Sequence, residues 1–175
     1  MIFHEYSLPH YWARSVNHPI YRDENSFTQT PILIHLSSPP DQGAKYFSSF
    51  ISAAYWQRLG IQTTMFFNGE GVIGLVKGRL VKMIGSPNTE QTVTQQLGME
   101  IPQFLYGDNP KNILEWALTF VRLGGRVAYC GTTNTWVGNA MDWEDRSNME
   151  QFAIPLNLHQ VASLLSNQEM KYIAF

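Results

Sequence analysis

The stretch Gly124-Gly-Arg-Val-Ala-Tyr-Cys130-Gly-Thr-Thr133 decides how the fold and the site are interpreted. Two glycines end the preceding segment, and Val127, Ala128 and Tyr129 then form a short apolar run that is typical of a buried strand. The run ends on Cys130, the only cysteine in the chain. Because open α/β sheets usually keep their site at the carboxyl ends of the strands, this thiol is the first candidate for chemistry.

The segments before this stretch alternate between strand-like and helix-like patterns. Ile32-Leu-Ile-His-Leu36 is a nearly continuous apolar run, and residues 47–55 are apolar at helical spacing. A second strand is predicted over 61–67, and further helices over 72–80 and 110–123. The alternation predicts an α/β domain with a mostly parallel, Rossmann-like sheet of five strands and helices on both faces.

The remaining segments are assigned from shorter patterns. They are a short strand over 81–84, a polar loop with at most one helical turn over 87–98, a short strand over 101–106, a short helix over 134–141, an acidic loop over 142–146, a last helix capped by Asn157, and a terminal strand over 171–175.

The beginning of the chain is rich in aromatic side chains and has neither helical nor strand periodicity. We expect an aromatic N-terminal arm over residues 1–30, lying across its own domain or a neighbouring subunit, followed by the α/β domain over 31–175. His4, His10 and His18 in the arm do not have a common metal-ligand spacing, so no metal site is predicted.

Composition limits the classes of function. The chain is 44% hydrophobic, 13% aromatic and 15% charged, with a net charge of −2, which favours a protein that buries surface on assembly as well as on folding. It has no basic run, so nucleic acid is not an expected partner. Neither a long apolar segment nor a signal-peptide pattern is visible, so no membrane association is expected. A single cysteine fits a reducing compartment, and we expect a cytoplasmic protein.

Polar residues and glycines follow the predicted strands at one edge of the sheet. The candidate binding residues are Ser37 and Ser38 after the first strand, Asn68, Gly69, Glu70 and Gly71 after the second, and Gly131, Thr132 and Thr133 after Cys130. Helix N-termini and backbone N–H groups at this edge would help the thiol to lose its proton. Cys130 is therefore either a nucleophilic or sulfur-carrying residue, or a small buried hydrophobe that ends a strand.

Other side chains near this edge also have two interpretations. Glu70 is either a carboxylate that raises the pKa of the thiol or acts as a general base, or an acid that complements a helix N-terminus. His35 is either a base for Cys130 or a satisfied core histidine. A cysteine hydrolase would need His35, Glu70 or His159 as its base, and none of them forms a motif with the thiol. Gly69-x-Gly71 is too short for a dinucleotide motif, so no cofactor is expected.

Three stretches of the sequence resemble the DsrE/DsrF-like family, to which the sulfur-relay TusD-type proteins belong. They are Ile32 to Gly60, Thr64-Met-Phe-Phe-Asn-Gly-Glu-Gly-Val-Ile73, and Gly125-Arg-Val-Ala-Tyr-Cys130-Gly-Thr-Thr. The resemblance extends over residues 31–175 and implies a flavodoxin-like sheet and a homotrimer or homohexamer. In sulfur-relay members the matching cysteine carries a persulfide that passes between proteins, a role that falls here on Cys130.

The sequence thus leads to two hypotheses. The first is a cytoplasmic sulfur-handling protein, in which Cys130 accepts sulfane sulfur from a donor protein and passes it to an acceptor. The second is a homo-oligomeric module that binds a small ligand without catalysis, with Cys130 structural and Trp136 and Trp143 at the pocket or interface. Family resemblance alone does not assign an enzymatic reaction.

Overall fold

The computed structural model describes residues 30–86 and 88–175. Residues 1–29 of the predicted aromatic arm, with His4, His10 and His18, lie outside the described residues. The strands are β1 (Ile32–Leu36), β2 (Thr63–Phe67), β3 (Arg126–Cys130), β4 (Ala153–Leu156) and β5 (Lys171–Ala174). The α-helices are α1 (Gly43–Arg58), α2 (Thr89–Leu97), α3 (Ile101–Phe104), α4 (Ile113–Arg122), α5 (Gly131–Trp136) and α6 (Leu158–Leu165), and two 3₁₀ helices (Gly69–Leu75 and Leu80–Lys82) lie between β2 and α2.

The five strands form one all-parallel sheet in the order β4-β3-β2-β1-β5. The predicted flavodoxin-like α/β class and its five-stranded parallel sheet are therefore confirmed. β4 was not predicted from the sequence, because its four residues include Pro155. Proline is tolerated mainly in edge strands, and β4 lies at the edge of the sheet beside the Cys130 strand.

The two faces of the sheet are covered unequally. Since successive side chains of a strand point to opposite faces, each strand contributes to both cores. One face packs against α1 and α4 and forms a large core that includes Ile34, Phe67 and Tyr129. The core of the other face is smaller, and it consists of Leu33, Phe66, Ala128, Cys130, Leu156 and Val161 of α6. Helices therefore cover both faces, as predicted, and Cys130 belongs to the smaller core.

The position of α6 depends on a capping box. The side chain of Asn157 accepts a hydrogen bond from the backbone N–H of Gln160 at 3.0 Å, and the Gln160 side chain accepts one from the Asn157 N–H at 3.0 Å. This confirms Asn157 as the predicted cap. Because α6 supplies Val161 to the smaller core, the capping box helps to close the face on which Cys130 lies.

The helix predicted over 72–80 is wrong, because this segment is a 3₁₀ helix over Gly69–Leu75 followed by a turn. Its backbone lies so close to neighbouring residues that a Cβ atom would not fit at Gly71 or at Gly74. A Cβ atom on Gly74 would lie 2.3 Å from the ring of Tyr46, which is fully buried on α1. The segment is thus held tightly against α1 and the end of β1, and its conformation follows from that contact.

Three predictions over residues 81–106 are also wrong. The polar loop predicted over 87–98 contains α2, which ends at Gly98 in the left-handed conformation (φ +67°). Val93 is the only buried residue of α2, so no apolar periodicity indicated a helix. The strands predicted over 81–84 and 101–106 contain part of a 3₁₀ helix and the short helix α3.

Candidate functional site

Cys130 is both the last residue of β3 and the N-cap of α5, so the strand ends and the helix begins at the thiol. Its Sγ accepts a hydrogen bond from the backbone N–H of Thr133, with an N···S distance of 3.4 Å. The helix predicted over 134–141 therefore begins earlier, at Gly131, and ends at Trp136. A backbone N–H aimed at sulfur stabilises negative charge that develops there.

Cys130 is only 4% exposed. It lies among the apolar side chains of the smaller core, which include Ala128 and Leu156. A small reagent or a second thiol can therefore reach Sγ only after a local movement of the surrounding chain.

The ends of β2 and β3 are tied together by side chains. Asn68 Oδ1 accepts a hydrogen bond from the Thr133 hydroxyl at 2.7 Å and another from the Gly69 N–H at 2.8 Å. Thr133 thus contributes its N–H to the thiol of Cys130 and its hydroxyl to Asn68. Four of the residues that the sequence singled out are joined in this one network.

The end of β1 reaches the same place through a close backbone contact. A Cβ atom on Gly71 would lie 2.3 Å from the carbonyl oxygen of Leu36 and 3.2 Å from Cα of Ser37. Gly69 adopts a positive φ of +52°, and its Cβ position is 3.8 Å from the Ser37 carbonyl oxygen. Glycine is required at position 71 because the carbonyl of Leu36 leaves no room for a Cβ atom. It is favoured at position 69 because of the positive φ angle.

Ser38 is directed elsewhere, although the sequence grouped it with the others. Its carbonyl oxygen accepts a hydrogen bond from the buried Tyr46 hydroxyl at 3.0 Å. Its Oγ accepts one from Lys45 Nζ at 2.9 Å and donates to the Phe175 oxygen at 3.4 Å. Ser38 therefore joins β1 to α1 and to the end of β5.

Four of the predicted binding residues are exposed, namely Ser37, Gly69, Glu70 and Thr132. Glu70 lies in the first turn of the Gly69–Leu75 helix, where an acid complements the helix N-terminus. Its carboxylate makes no hydrogen bond or ion pair with another described residue. Thr132 is exposed on the first turn of α5. The backbone N–H of Gly131, by contrast, lies in a buried part of the same turn.

The acidic loop over 142–146 lies directly against the residue that follows Cys130. A Cβ atom on Gly131 would be 2.2 Å from the carbonyl oxygen of Trp143, so the loop backbone rests on this glycine. Asp142 Oδ1 accepts the N–H groups of Glu144 and Asp145, both at 2.9 Å, and this turn fixes the loop. Hydrogen bonds from the N–H groups of Met141 and Ser147 hold the pKa of Asp145 below its ordinary value.

His35 is not positioned as a base for Cys130. Its Nδ1 is hydrogen bonded to the hydroxyl of Tyr172, which lies on β5, on the side of β1 away from β3. Its ring stacks on Phe66 with a centroid distance of 5.5 Å. β2 separates His35 from the Cys130 strand, and two strand spacings amount to about 9.6 Å. Burial lowers the pKa of His35 and favours its neutral form. Its Nε2 is buried with no hydrogen-bond partner among the described residues, so the half-buried ring is not fully satisfied either.

Two buried polar side chains near the site escaped sequence reasoning. The hydroxyl of Tyr129 and both amide atoms of Asn134 are buried and have no hydrogen-bond partner among the described residues. Burial raises the pKa of Tyr129 to about 12. Tyr129 looked like an ordinary strand residue and Asn134 like part of a polar run, and only tertiary contacts place them in the interior.

Two adjoining cavities of about 230 and 360 Å³ lie beside α2, the first towards α3 and α4 and the second towards α1. Phe47, Val93 and Thr89 contribute to both, and none of the strand-tip residues lines either one. The described residues also contain no cluster of three or more side chains suited to a metal ion. In the same part of the chain, no helix is long and apolar enough to span a membrane.

Comparisons with known proteins bear on the fold. No family model matches the chain, and no curated protein does. Among solved structures, the crystal structure of the YchN protein from E. coli matches with a TM-score of 0.55 and 13% sequence identity. The match covers 84% of this chain and all of that one. At this level of identity the likeness supports the flavodoxin-like α/β fold that the sequence predicted.

Proposed function

We propose that this chain handles sulfane sulfur in the cytoplasm and carries it as a persulfide on Cys130. The observation that carries the proposal is the placement of the thiol. Sγ of the only cysteine lies at the carboxyl end of a central strand and accepts the N–H of Thr133. The resemblance of the sequence around Cys130 to the sulfur-relay proteins supports the same assignment.

The transfer is a simple exchange at sulfur. The Cys130 thiolate attacks the terminal sulfur of a donor persulfide, R–S–SH. A new S–S bond forms to Cys130 while the donor S–S bond breaks, and the donor leaves as its thiolate. No oxidant or reductant is consumed, because the sulfane sulfur keeps its oxidation state. The reverse attack, by an acceptor thiolate on the terminal sulfur held by Cys130, completes the cycle.

The neighbouring groups suit a terminal sulfur better than a large substrate. The N–H of Thr133 already faces Sγ, and the Thr133–Asn68 hydrogen bond holds it there. Glycines at Gly69 and Gly71 bring backbone close to the strand tips without side chains. Ser37 and the N–H groups of Gly131 and Thr132 complete the proposed set, whereas Ser38 is engaged with Tyr46 and Lys45.

A direct test uses loading by inorganic polysulfide. We expect the wild-type chain to gain the mass of one sulfur atom per chain, reversed by a thiol reductant, and Cys130→Ser to gain none. Serine is a favourable N-cap, so this variant should keep α5 and the unfolding temperature. Sulfur loading of folded Cys130→Ser would contradict the proposal.

The burial of Cys130 favours one competing function. A cysteine that is 4% exposed and caps a helix is also typical of a structural residue. If Cys130 is structural, the chain is a module that binds a small ligand without catalysis. The pH dependence of alkylation separates the two. A rate that reaches its plateau below the free-thiol pKa of about 8.5 supports sulfur transfer, and no reaction before denaturation supports the binding module.

The proposal includes a homotrimeric or homohexameric assembly and separate donor and acceptor proteins, as the resemblance implies. Sedimentation equilibrium of the full chain tests the first part. A monomer at all concentrations would remove the assembly from the proposal without affecting the chemistry of Cys130.

A further inference from the structure

The largest apolar exposures in the described part of the chain lie at the last residue of α5 and in the turn that follows it. Trp136 is 89% exposed and Met141 is 90% exposed, whereas the next largest, Ile84, is 74% exposed. Large apolar side chains at such exposure are typical of interaction surfaces, and tryptophan is among the residues most enriched in binding hot spots.

These two side chains are held on a fixed turn. The N–H of Gly138 bonds to the Thr135 carbonyl at 3.0 Å, and the N–H of Asn139 bonds to the Asn134 carbonyl at 3.1 Å. With Gly138 at φ +78°, this is a Schellman motif that ends α5. The N–H of Met141 then bonds to Asp145 Oδ2 at 3.0 Å. Trp136 and Met141 are therefore presented by an ordered backbone, which lowers the entropic cost of binding.

The surroundings of this apolar pair are acidic. The loop over 142–146 has three carboxylates and one guanidinium, so its net charge is −2. The guanidinium of Arg146 is bound to the Gln151 carbonyl oxygen. Asp142 and Glu144 are exposed, and neither forms an ion pair with another described residue. A partner that places lysine or arginine side chains here would find unpaired carboxylates and the exposed face of an indole.

The same surface adjoins the thiol. α5 has six residues, so Trp136 lies about 9 Å along the helix from Cys130. The loop that bears the carboxylates rests on Gly131 through the Trp143 carbonyl. Whatever docks on Trp136 and the loop therefore touches the backbone that directly follows the thiol.

We propose that Trp136, Met141, Asp142 and Glu144 form the docking surface for the protein that exchanges sulfur with Cys130. This docking surface fits a basic partner with an apolar side chain or shallow pocket beside its reactive cysteine. The inference rests on the proposed function, since it names the partner of the same thiol.

The test uses two synthetic pentapeptides as probes, Lys-Leu-Cys-Arg-Lys and Glu-Leu-Cys-Glu-Glu, each activated as a pyridyl disulfide. The rate of mixed-disulfide formation with Cys130 is followed by release of the pyridyl thiol. We expect the cationic peptide to react at least tenfold faster at low ionic strength, with an advantage that shrinks as salt is added. The advantage should disappear in the double variant Asp142→Asn, Glu144→Gln, whereas Trp136→Ala, which keeps both carboxylates, should slow both peptides because each carries the same leucine.

Two controls make the result specific. Leu165→Ala removes another exposed apolar side chain at the far end of α6 and should leave the advantage intact. Iodoacetamide, which is small and neutral, should alkylate wild type and Trp136→Ala at equal rates. Equal rates for the two peptides with the wild-type protein, an advantage that survives in the double variant, or unchanged peptide rates in Trp136→Ala would overturn the docking surface.

The outcomes also separate this inference from the proposed function. If Cys130 discriminates between the peptides but never loads sulfur from polysulfide, the sulfur role fails and the surface remains. If Cys130 loads sulfur but does not discriminate, only the surface fails. If Trp136→Ala turns an oligomer into a monomer in sedimentation, the surface belongs to a second copy of this chain and the inference is wrong.

Discussion

Replacing Gly131 by alanine should loosen the loop over 142–146, which rests on the residue after Cys130. Gly131 is the first residue of α5 and does not adopt a positive φ, so alanine suits its backbone. The obstacle is the carbonyl oxygen of Trp143, which would lie 2.2 Å from the new Cβ. Ordinary contacts begin at 3.4 Å, so the loop backbone has to retreat by 1.2 Å.

The size of the effect follows from overpacking. Forcing an additional carbon into a packed site typically costs about 1 to 3 kcal/mol. For a domain of this size, each kcal/mol lowers the unfolding temperature by about 2 to 4 °C, so we expect a fall of about 2 to 12 °C. Since the loop then lies further from α5, alkylation of Cys130 in the folded protein should become faster. Cys130 is the only cysteine, so the reaction reports on it alone.

Gly43 provides the matched control. It is also the first residue of a helix, and no atom lies within 4 Å of its Cβ position. Gly43→Ala should therefore leave stability unchanged or raise it by about 0.4 to 1 kcal/mol, with no change in alkylation. The test is to measure the unfolding temperature and the rate of Cys130 alkylation by iodoacetamide for both variants. A Gly131→Ala protein as stable as Gly43→Ala, with unchanged alkylation, would refute the idea that the loop restricts access to the thiol.

Other positions give separate tests. Tyr129→Phe removes a buried hydroxyl that has no partner among the described residues, so denaturant unfolding should show equal or higher stability. Tyr46→Phe removes a hydroxyl that is bonded to two backbone carbonyls, so it should lower the free energy of unfolding by about 1 to 3 kcal/mol. Because the raised pKa of Tyr129, about 12, disfavours tyrosinate in the fold, stability should fall as pH rises from 10 towards 12, and less steeply in Tyr129→Phe. Because the pKa of His35 is lowered in the folded state, its contribution to stability is fully present above pH 6.5 and is lost as the pH falls below that value. Denaturant midpoints measured against pH should therefore fall less steeply in His35→Phe than in the wild-type protein. Asn157→Ala should cost about 0.5 to 2 kcal/mol by losing the α6 cap, whereas Ser163→Ala on the exposed side of the helix should cost almost nothing.

The parts of the fold that the sequence predicted well are those with a strong local pattern. β1, β2 and β3 are apolar runs buried on both faces, and α1 and α4 carry apolar stripes that end near Gly60 and Gly124. Burial of such runs requires helices on both faces of a parallel sheet, so local pattern and global fold agree. α2 and β4 were missed because one buries a single residue and the other contains Pro155.

The candidate site was located correctly along the chain but only partly in space. Asn68, Thr133 and Cys130 are joined by hydrogen bonds, as convergence of strand ends predicts. Ser38 belongs to the same edge but turns towards Tyr46 and Lys45, because the chain bends there into α1. The direction of a side chain after a strand depends on its tertiary neighbours, and sequence spacing does not contain that information.

The sequence by itself determined the parallel α/β architecture and the position of the thiol at the end of β3, because hydrophobic periodicity and glycine placement are local properties. Only the tertiary structure decided that Cys130 is buried, that the loop over 142–146 rests on Gly131, and that Trp136 stands exposed. These features arise from contacts between residues that are distant along the chain or on opposite sides of a turn. Accessibility is a property of the packed molecule, and for this thiol it is the quantity on which the proposed function depends.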